Sequence, residues 1–244
     1  MPPPTSRITP RHADEPLPAD IADAIRGRFL VFEGPDGSGK TTQLARFAAA
    51  CGAVGLETVH VRDPGGTEIG ERIRAILLEH SEEDISPRCE MLLYMASRAQ
   101  LVAHKIAPAL AQGKCVLADR FYASTLAYQG TAGGVPADEI LSAALIACGD
   151  NRPDLTIIFD VDEQTAASRL SPLLDRMEAK GAAFHARVRQ GYHDQANQDP
   201  GHVAMIDARC TEPEVFAGVL ATLRERFCAH APRGNDRAAA SEPR

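Results

Sequence analysis

Apolar residues in this chain fall into short runs that alternate with longer amphipathic stretches. Residues 28–33 form a compact apolar run ending at a glycine turn, which suits a strand buried on both faces. Residues 58–61, 114–118, 156–160 and 203–207 read as four more strands. Helices are predicted over 41–50, 68–79, 88–102, 137–148, 163–170, 178–196 and 212–227. The third of these is expected to continue toward Leu110 with a disturbance at Pro108. Within 68–79, Ile69, Ile73, Ile76 and Leu77 share one helical face. Strands alternating with helices predict an α/β fold, a five-stranded parallel sheet with helices on both faces. Such a sheet places its ligands beyond the carboxyl ends of the strands.

Composition narrows the picture. A chain of 244 residues with 44% hydrophobic residues holds one sizeable core, and two full domains would be cramped. A formal charge of −7 argues against a nucleic-acid partner, while leaving room for a local basic pocket that takes a small anion. No apolar run approaches the roughly 20 residues needed to span a bilayer, so no membrane segment is expected. The six cysteines are scattered, with no C-x-x-C pair and no histidine at ligand spacing. They read as free thiols in a reduced, cytoplasmic setting. Residues 1–26, with six prolines in the first nineteen, read as a disordered extension rather than a secretory signal. The domain is expected over 27–229, followed by a disordered tail over 230–244.

The strongest chemical signal is Gly34-Pro35-Asp36-Gly37-Ser38-Gly39-Lys40-Thr41, which matches G-x-x-x-x-G-K-[ST] between a strand and a helix. Its glycines let successive backbone N–H groups face phosphate oxygens, and the helix N-terminus adds its positive end. Lys40 would reach the β- and γ-phosphates of ATP, and the Thr41 hydroxyl would hold Mg²⁺. The loop alone does not separate kinases from GTPases, ATPases and helicases. There is no N-K-x-D guanine-reading motif, and the chain is short for a motor protein, so a small-substrate kinase leads.

Three weaker signals fall at strand ends or on a helix. Arg62-Asp63-Pro64-Gly65-Gly66-Thr67 sets an arginine beside a rigid turn, where it can fork onto a phosphate or simply decorate a surface turn. Asp119-Arg120-Phe121-Tyr122-Ala123-Ser124 offers a carboxylate for Mg²⁺ and an arginine for phosphates, or an N-cap with a solvated arginine. Tyr94 and Arg98 stand four residues apart on one helical face, suited to a base and its phosphate or to ordinary packing.

Taken together these segments resemble the thymidylate kinase family. The run from Phe32 to Gln43, the segments 62–67, 92–100, 117–130 and 152–162, and Asp175-Arg176-Met177-Glu178 with Phe184, Val188, Arg189 and Tyr192 appear in family order and spacing. The resemblance covers about residues 28–227, and the stretch 119–129 is its most discriminating part. It implies the three-layer sandwich of the P-loop nucleoside monophosphate kinases and transfer of the γ-phosphoryl group from ATP to dTMP.

The same resemblance implies roles for individual residues. Gly34, Pro35, Asp36, Gly37, Ser38, Gly39, Lys40 and Thr41 would cradle ATP. Asp36, Arg62, Tyr94, Arg98, Arg120, Ser124 and Gln129 would hold dTMP, with Asp36 near the sugar and Tyr94 where relatives usually stack phenylalanine. Thr41 and Asp119 would hold Mg²⁺. Lys40, Asp36, Asp119, Arg120 and Arg169 would form the catalytic set. Some relatives carry an arginine directly after the loop carboxylate, where this chain has Gly37. The missing charge is then expected from a lid over about 164–181, with Arg169 favoured over Arg176. The family resemblance also implies a homodimer, for which residues 90–101 are one candidate surface. The histidines receive no catalytic role, because the acceptor phosphate is already a nucleophile and the reaction asks for alignment and positive charge. The rival readings are another pyrimidine nucleoside monophosphate kinase and a P-loop protein that only senses ATP.

Overall fold

The computed structural model describes residues 16–79, 83–169 and 176–228. Five strands, β1 (Phe29–Glu33), β2 (Thr58–Arg62), β3 (Cys115–Asp119), β4 (Leu155–Asp160) and β5 (Val203–Asp207), form one parallel sheet in the order β2-β3-β1-β4-β5. Chain order reverses around β1, so a crevice opens beyond its carboxyl end.

Side-chain alternation explains the layers. Leu30 and Phe32 of β1 join Cys115 and Leu117 of β3 in one core, against α2 (Lys40–Ala53) and α10 (Glu212–Leu223). Phe29 and Val31 join Val116 and Ala118 in the opposite core, against α4 (Pro87–Leu101) and α7 (Ala137–Cys148). A third cluster packs Ile158 against Tyr128, Val188 and Tyr192, seating α9 (Ala182–Gln198) over the carboxyl end of the sheet. The expected three-layer α/β sandwich is the one observed.

Three expectations require correction. Part of the supposed extension is folded: α1 (Ala19–Ala24) sits in the core, with Leu17 3% exposed and Ile21 and Ile25 fully buried. Their four-residue spacing forms an apolar stripe that the prolines obscured in the sequence. Residues 1–15 of that extension and 229–244 of the tail lie outside the described residues. In α3 (Glu68–Leu78) the apolar face does not point wholly inward: Leu77 is buried, but Ile69 and Ile76 are 50% and 55% exposed. The helix expected over 178–196 begins instead as a 3-10 turn, Glu178–Lys180, and α9 starts after Gly181.

The disturbance near Pro108 is present but displaced upstream. A π-helical segment, Val102–Ile106, follows α4, and Pro108 lies in the first turn of α5 (Ala107–Ala111), where its missing N–H costs least. A helix absent from the sequence reading, α6 (Tyr122–Thr125) with its π-helical continuation Leu126–Ala132, leads directly from β3. α8 (Glu163–Arg169) then follows β4.

Candidate active site

β1 delivers the chain into the glycine-rich loop, and α2 starts at its far end. Gly39 caps α2 at φ 82° with no side-chain capping bond, which leaves first-turn N–H groups facing the loop. Gly37 stands at φ 79°, and a Cβ there would lie 2.4 Å from the Ala166 carbonyl oxygen on α8. Both backbone conformation and space therefore require glycine at this position.

Lys40 is nearly buried, and its Nζ donates to Asp36 Oδ1 at 3.1 Å. Arg120 Nη2 donates to the same oxygen at 2.5 Å. Burial would raise the Asp36 carboxyl, yet the charges of Arg120 and Lys40 outweigh it and hold the group well below the usual carboxylate range. Thr41 Oγ1 donates to Asp119 Oδ2 at 3.1 Å, joining the start of α2 to the end of β3. The loop thus carries cations on one side and a pair of hard oxygen groups on the other.

Arg120 is held in an unusual backbone conformation, φ 67°, which disfavours side chains with a Cβ. The surrounding bonds account for its persistence. Its N–H donates to the Phe32 carbonyl at 3.0 Å, and Nη1 donates to Ser124 Oγ at 3.0 Å and to the Tyr192 hydroxyl at 3.3 Å. Buried Glu33, the last residue of β1, accepts from the Phe121 N–H at 2.7 Å and the Ser124 N–H at 3.0 Å. The Ser124 and Tyr192 hydroxyls also donate to Glu33, at 2.6 and 3.0 Å. One carboxylate thereby fixes the turn from β3 into α6, and through it the arginine.

Beyond Asp36 and Arg120 lies a cleft that opens toward α3, α4 and α6. Tyr94, Tyr128, Arg74, Arg98, Gln129 and Met177 help to line it. Arg98 is almost wholly buried, donating through Nε to Asp63 Oδ2 at 2.5 Å and through Nη2 to Thr125 Oγ1 at 3.1 Å. Burial pushes the Asp63 carboxyl up, with Arg98 pulling it back. Asp63 Oδ1 and the Tyr128 hydroxyl are buried without a hydrogen-bond partner among the described residues. Both residues line the cleft, so a polar ligand could satisfy them.

A second groove runs along the outer side of the loop, past Ser38, Gly39, Thr42, Arg169 and Cys210. Arg169 Nη1 donates to the carbonyls of Ala208, at 3.0 Å, and Gly37, at 3.4 Å. Arg176, next to the cleft residue Met177, donates to Leu77 O at 2.9 Å and Glu90 Oε1 at 2.7 Å. Residues 170–175 between them, including the Ser171–Leu174 stretch and Asp175, lie outside the described residues.

The fold therefore brings Asp36, Tyr94, Arg98, Arg120, Ser124 and Gln129 to one cleft. Arg62 is not among its lining residues. Its half-exposed side chain is drawn to Glu71 at 3.1 Å, and Arg74, one turn farther along α3, occupies the cleft instead while donating to Pro64 O at 3.1 Å. Ser124 does not present a free hydroxyl to a base, because Glu33 and Arg120 engage it. Sequence reasoning missed Glu33, Asp63, Arg74, Glu90, Thr125, Tyr128 and Tyr192. Tyr128 stands in the stretch 119–129, and Arg74 follows Arg62 by a span that only the packing of α3 makes interpretable. Among the cysteines, Cys51, Cys115 and Cys148 are buried free thiols, whereas Cys89 and Cys210 are exposed.

Comparison with known proteins agrees with this geometry. The family model described as thymidylate kinase matches residues 32–217. A thymidylate kinase of Chlorobium luteolum is 43% identical over 210 residues, covering 82% of this chain and 98% of that protein. One from Deinococcus radiodurans is 42% identical over 205 residues, with coverage of 82% and 98%. The crystal structure of thymidylate kinase from Ehrlichia chaffeensis superposes with a TM-score of 0.66 at 32% identity, covering 80% of this chain and 98% of that one.

Proposed function

The chain belongs to the thymidylate kinase family, and on that premise we propose that it transfers the γ-phosphoryl group of ATP to dTMP, giving dTDP and ADP. The observation that carries this reading is the Asp36–Arg120 pair, which stands between the glycine-rich loop and the cleft lined by Tyr94, Arg98 and Gln129. A protein that only senses ATP has no use for that second, cation-lined cleft.

In this reading ATP lies along the loop from Gly34 to Thr41, with its nucleoside toward the groove of Thr42 and Cys210. The acceptor monophosphate occupies the cleft, its base beside Tyr94, Arg98 and Gln129 and its phosphate toward Arg120 and Arg74. Arg62 would join the phosphate only by leaving Glu71. Lys40 and Arg120, held by one carboxylate, draw two anions together, and the Asp36 charge keeps both cations in place before substrate arrives.

Thr41 and Asp119 present one hydroxyl and one carboxylate, and no cluster of three metal-ligating side chains occurs among the described residues. That donor set fits Mg²⁺, which takes few protein oxygens and keeps the rest of its shell for water and phosphate. When bound there, Mg²⁺ would neutralise charge on the phosphates. Arg169, bonded to the loop carbonyl of Gly37, would be the arginine that adds positive charge there.

The enzyme is further read as a cytoplasmic homodimer. No helix among the described residues is long and apolar enough to cross a membrane. Ile69 and Ile76 on α3, Leu92 on α4, and Leu141, Leu145 and Ile146 on α7 expose apolar side chains along three helices that pack in series. Such a surface suits a second copy better than water.

An ATP-coupled assay over a panel of nucleoside monophosphates tests the function. dTMP is expected to be the fastest acceptor. A faster acceptor would reassign the substrate, and no turnover at all would sink the kinase reading.

A further inference from the structure

Glu90 is a carboxylate buried in α4, 1% exposed, and nothing in the phosphoryl-transfer chemistry calls for it. It is surrounded by groups that donate. Gln129 Nε2 reaches Oε2 at 2.8 Å, Arg176 Nη1 reaches Oε1 at 2.7 Å, and Lys180 Nζ reaches Oε1 at 3.0 Å. An ionised carboxylate only accepts hydrogen bonds, so of the two ends of the Gln129 amide it selects the NH₂ end. Among the described residues the amide oxygen of Gln129 takes no hydrogen bond, and Gln129 lines the acceptor cleft. Across that cleft Arg98 offers only donors.

We propose that Glu90 is a positioning residue for the acceptor base: by holding the NH₂ of Gln129, it leaves the amide oxygen as an acceptor for the N3–H of a thymine or uracil ring.

The inference rests on the thymidylate kinase reading and sharpens its specificity. Thymine and uracil present a carbonyl at position 4 and an N–H donor at position 3. Cytosine presents an amine at position 4 and an unprotonated nitrogen at position 3, the opposite pattern. Next to the donors of Arg98, an amide locked with its oxygen forward favours the first pattern and leaves the second with facing donors and facing acceptors. An amide free to turn over would accommodate both, which is why the fixed carboxylate matters. The two lid cations stabilise the charge that makes Glu90 a pure acceptor. The 5-methyl group lies away from this pair of contacts, so Glu90 plays no part in separating dTMP from dUMP.

The test compares the wild-type enzyme with Glu90→Gln and Glu90→Asp, using dTMP, dUMP and dCMP as acceptors. Calorimetric binding of the three nucleotides and a thermal melt accompany each variant. In Glu90→Gln the neighbouring amide can pair in either orientation. In Glu90→Asp the charge remains for Arg176 and Lys180, but the carboxylate is withdrawn from Gln129 by one methylene. The dTMP:dCMP ratio of kcat/KM is expected to fall about tenfold, the worth of one hydrogen bond to the base, and mainly through KM. The dTMP:dUMP ratio is expected to stay as in wild type. Lys180→Met, which leaves the bond to Gln129, is expected to retain wild-type discrimination. An unchanged dTMP:dCMP ratio in whichever Glu90 variant folds overturns the proposal, as does an equal loss for all three nucleotides. So does a loss of discrimination in Lys180→Met matching that of Glu90→Gln. Wild-type enzyme inactive on dTMP would instead overturn the functional reading and carry this inference with it.

Discussion

Arg120 donates to Asp36 Oδ1 at 2.5 Å, and Lys40 donates to that same oxygen, so one carboxylate sets the separation of two cations. A lysine at position 120 would keep the charge but could not bond Asp36 and Ser124 with a single planar fork. Arg120→Lys is expected to lower kcat on the order of a hundredfold, the usual scale for losing an electrostatic donor at a reacting group. Steady-state kinetics beside a thermal melt would check this. Near-normal kcat in a folded variant would place Arg120 outside the chemistry.

Arg169 and Arg176 have different surroundings and should fail differently. Arg169 touches the glycine-rich loop through the Gly37 carbonyl, whereas Arg176 is tied to Glu90 and Leu77 beside the acceptor cleft. Arg169→Ala is expected to depress kcat with little change in KM for dTMP, and Arg176→Ala chiefly to raise that KM. The opposite pattern would exchange their roles.

Thr41 and Asp119 provide the hydroxyl and carboxylate assigned to Mg²⁺, 3.1 Å apart. Thr41→Ala and Asp119→Asn should each raise the Mg²⁺ concentration for half-maximal rate by roughly tenfold or more. Titrating activity against Mg²⁺ at fixed ATP reads this directly. An unshifted curve in both variants would move the metal elsewhere.

The carboxyls of Asp36 and Glu90 are both held below their ordinary values. In each, burial works upward and is outweighed: by Arg120 and Lys40 for Asp36, and by bonds from Gln129, Arg176 and Lys180 for Glu90. A depressed folded-state value means that the stability they contribute is present above the unfolded pKa, about 4, and is lost as pH falls through the folded one. Melting temperature should therefore decline steeply only below about pH 4. The acid limb of kcat/KM should instead follow the substrate phosphate, near pH 6. A limb that shifted in Asp36→Asn would tie it to the enzyme.

Ile146 is 86% exposed on α7, beside Leu141 and Leu145. If this face joins two copies, Ile146→Asp should yield a monomer by sedimentation velocity while leaving the sheet and cleft folded. A variant that sediments like the wild type would remove α7 from the interface.

Much of this was legible in the sequence, for identifiable reasons. Short apolar runs marked β1, β3 and β4, because central strands covered on both faces leave little place for polar residues, whereas edge strand β2 alternates apolar and polar positions. The glycine-rich loop was visible because its chemistry is local, written in eight consecutive residues. Arg62 misled because its neighbour in space, Glu71, is nine residues away on α3, and only packing reveals that attraction. Glu33 and Glu90 were passed over because buried carboxylates announce themselves through partners that are 39 to 159 positions distant. Leu17, Ile21 and Ile25 were hidden by a proline-rich context that suggested disorder, although their spacing is helical.

The crowding of Gly37 against the Ala166 carbonyl bears on how such enzymes diverge. A phosphate-loop arginine cannot be installed here by a single codon change, since any side chain would meet the backbone of α8. Installing one there would require α8 to move away from the loop. The loop and α8 are therefore sterically coupled, and grafting either alone between relatives should give a poorly folded or sluggish chimera.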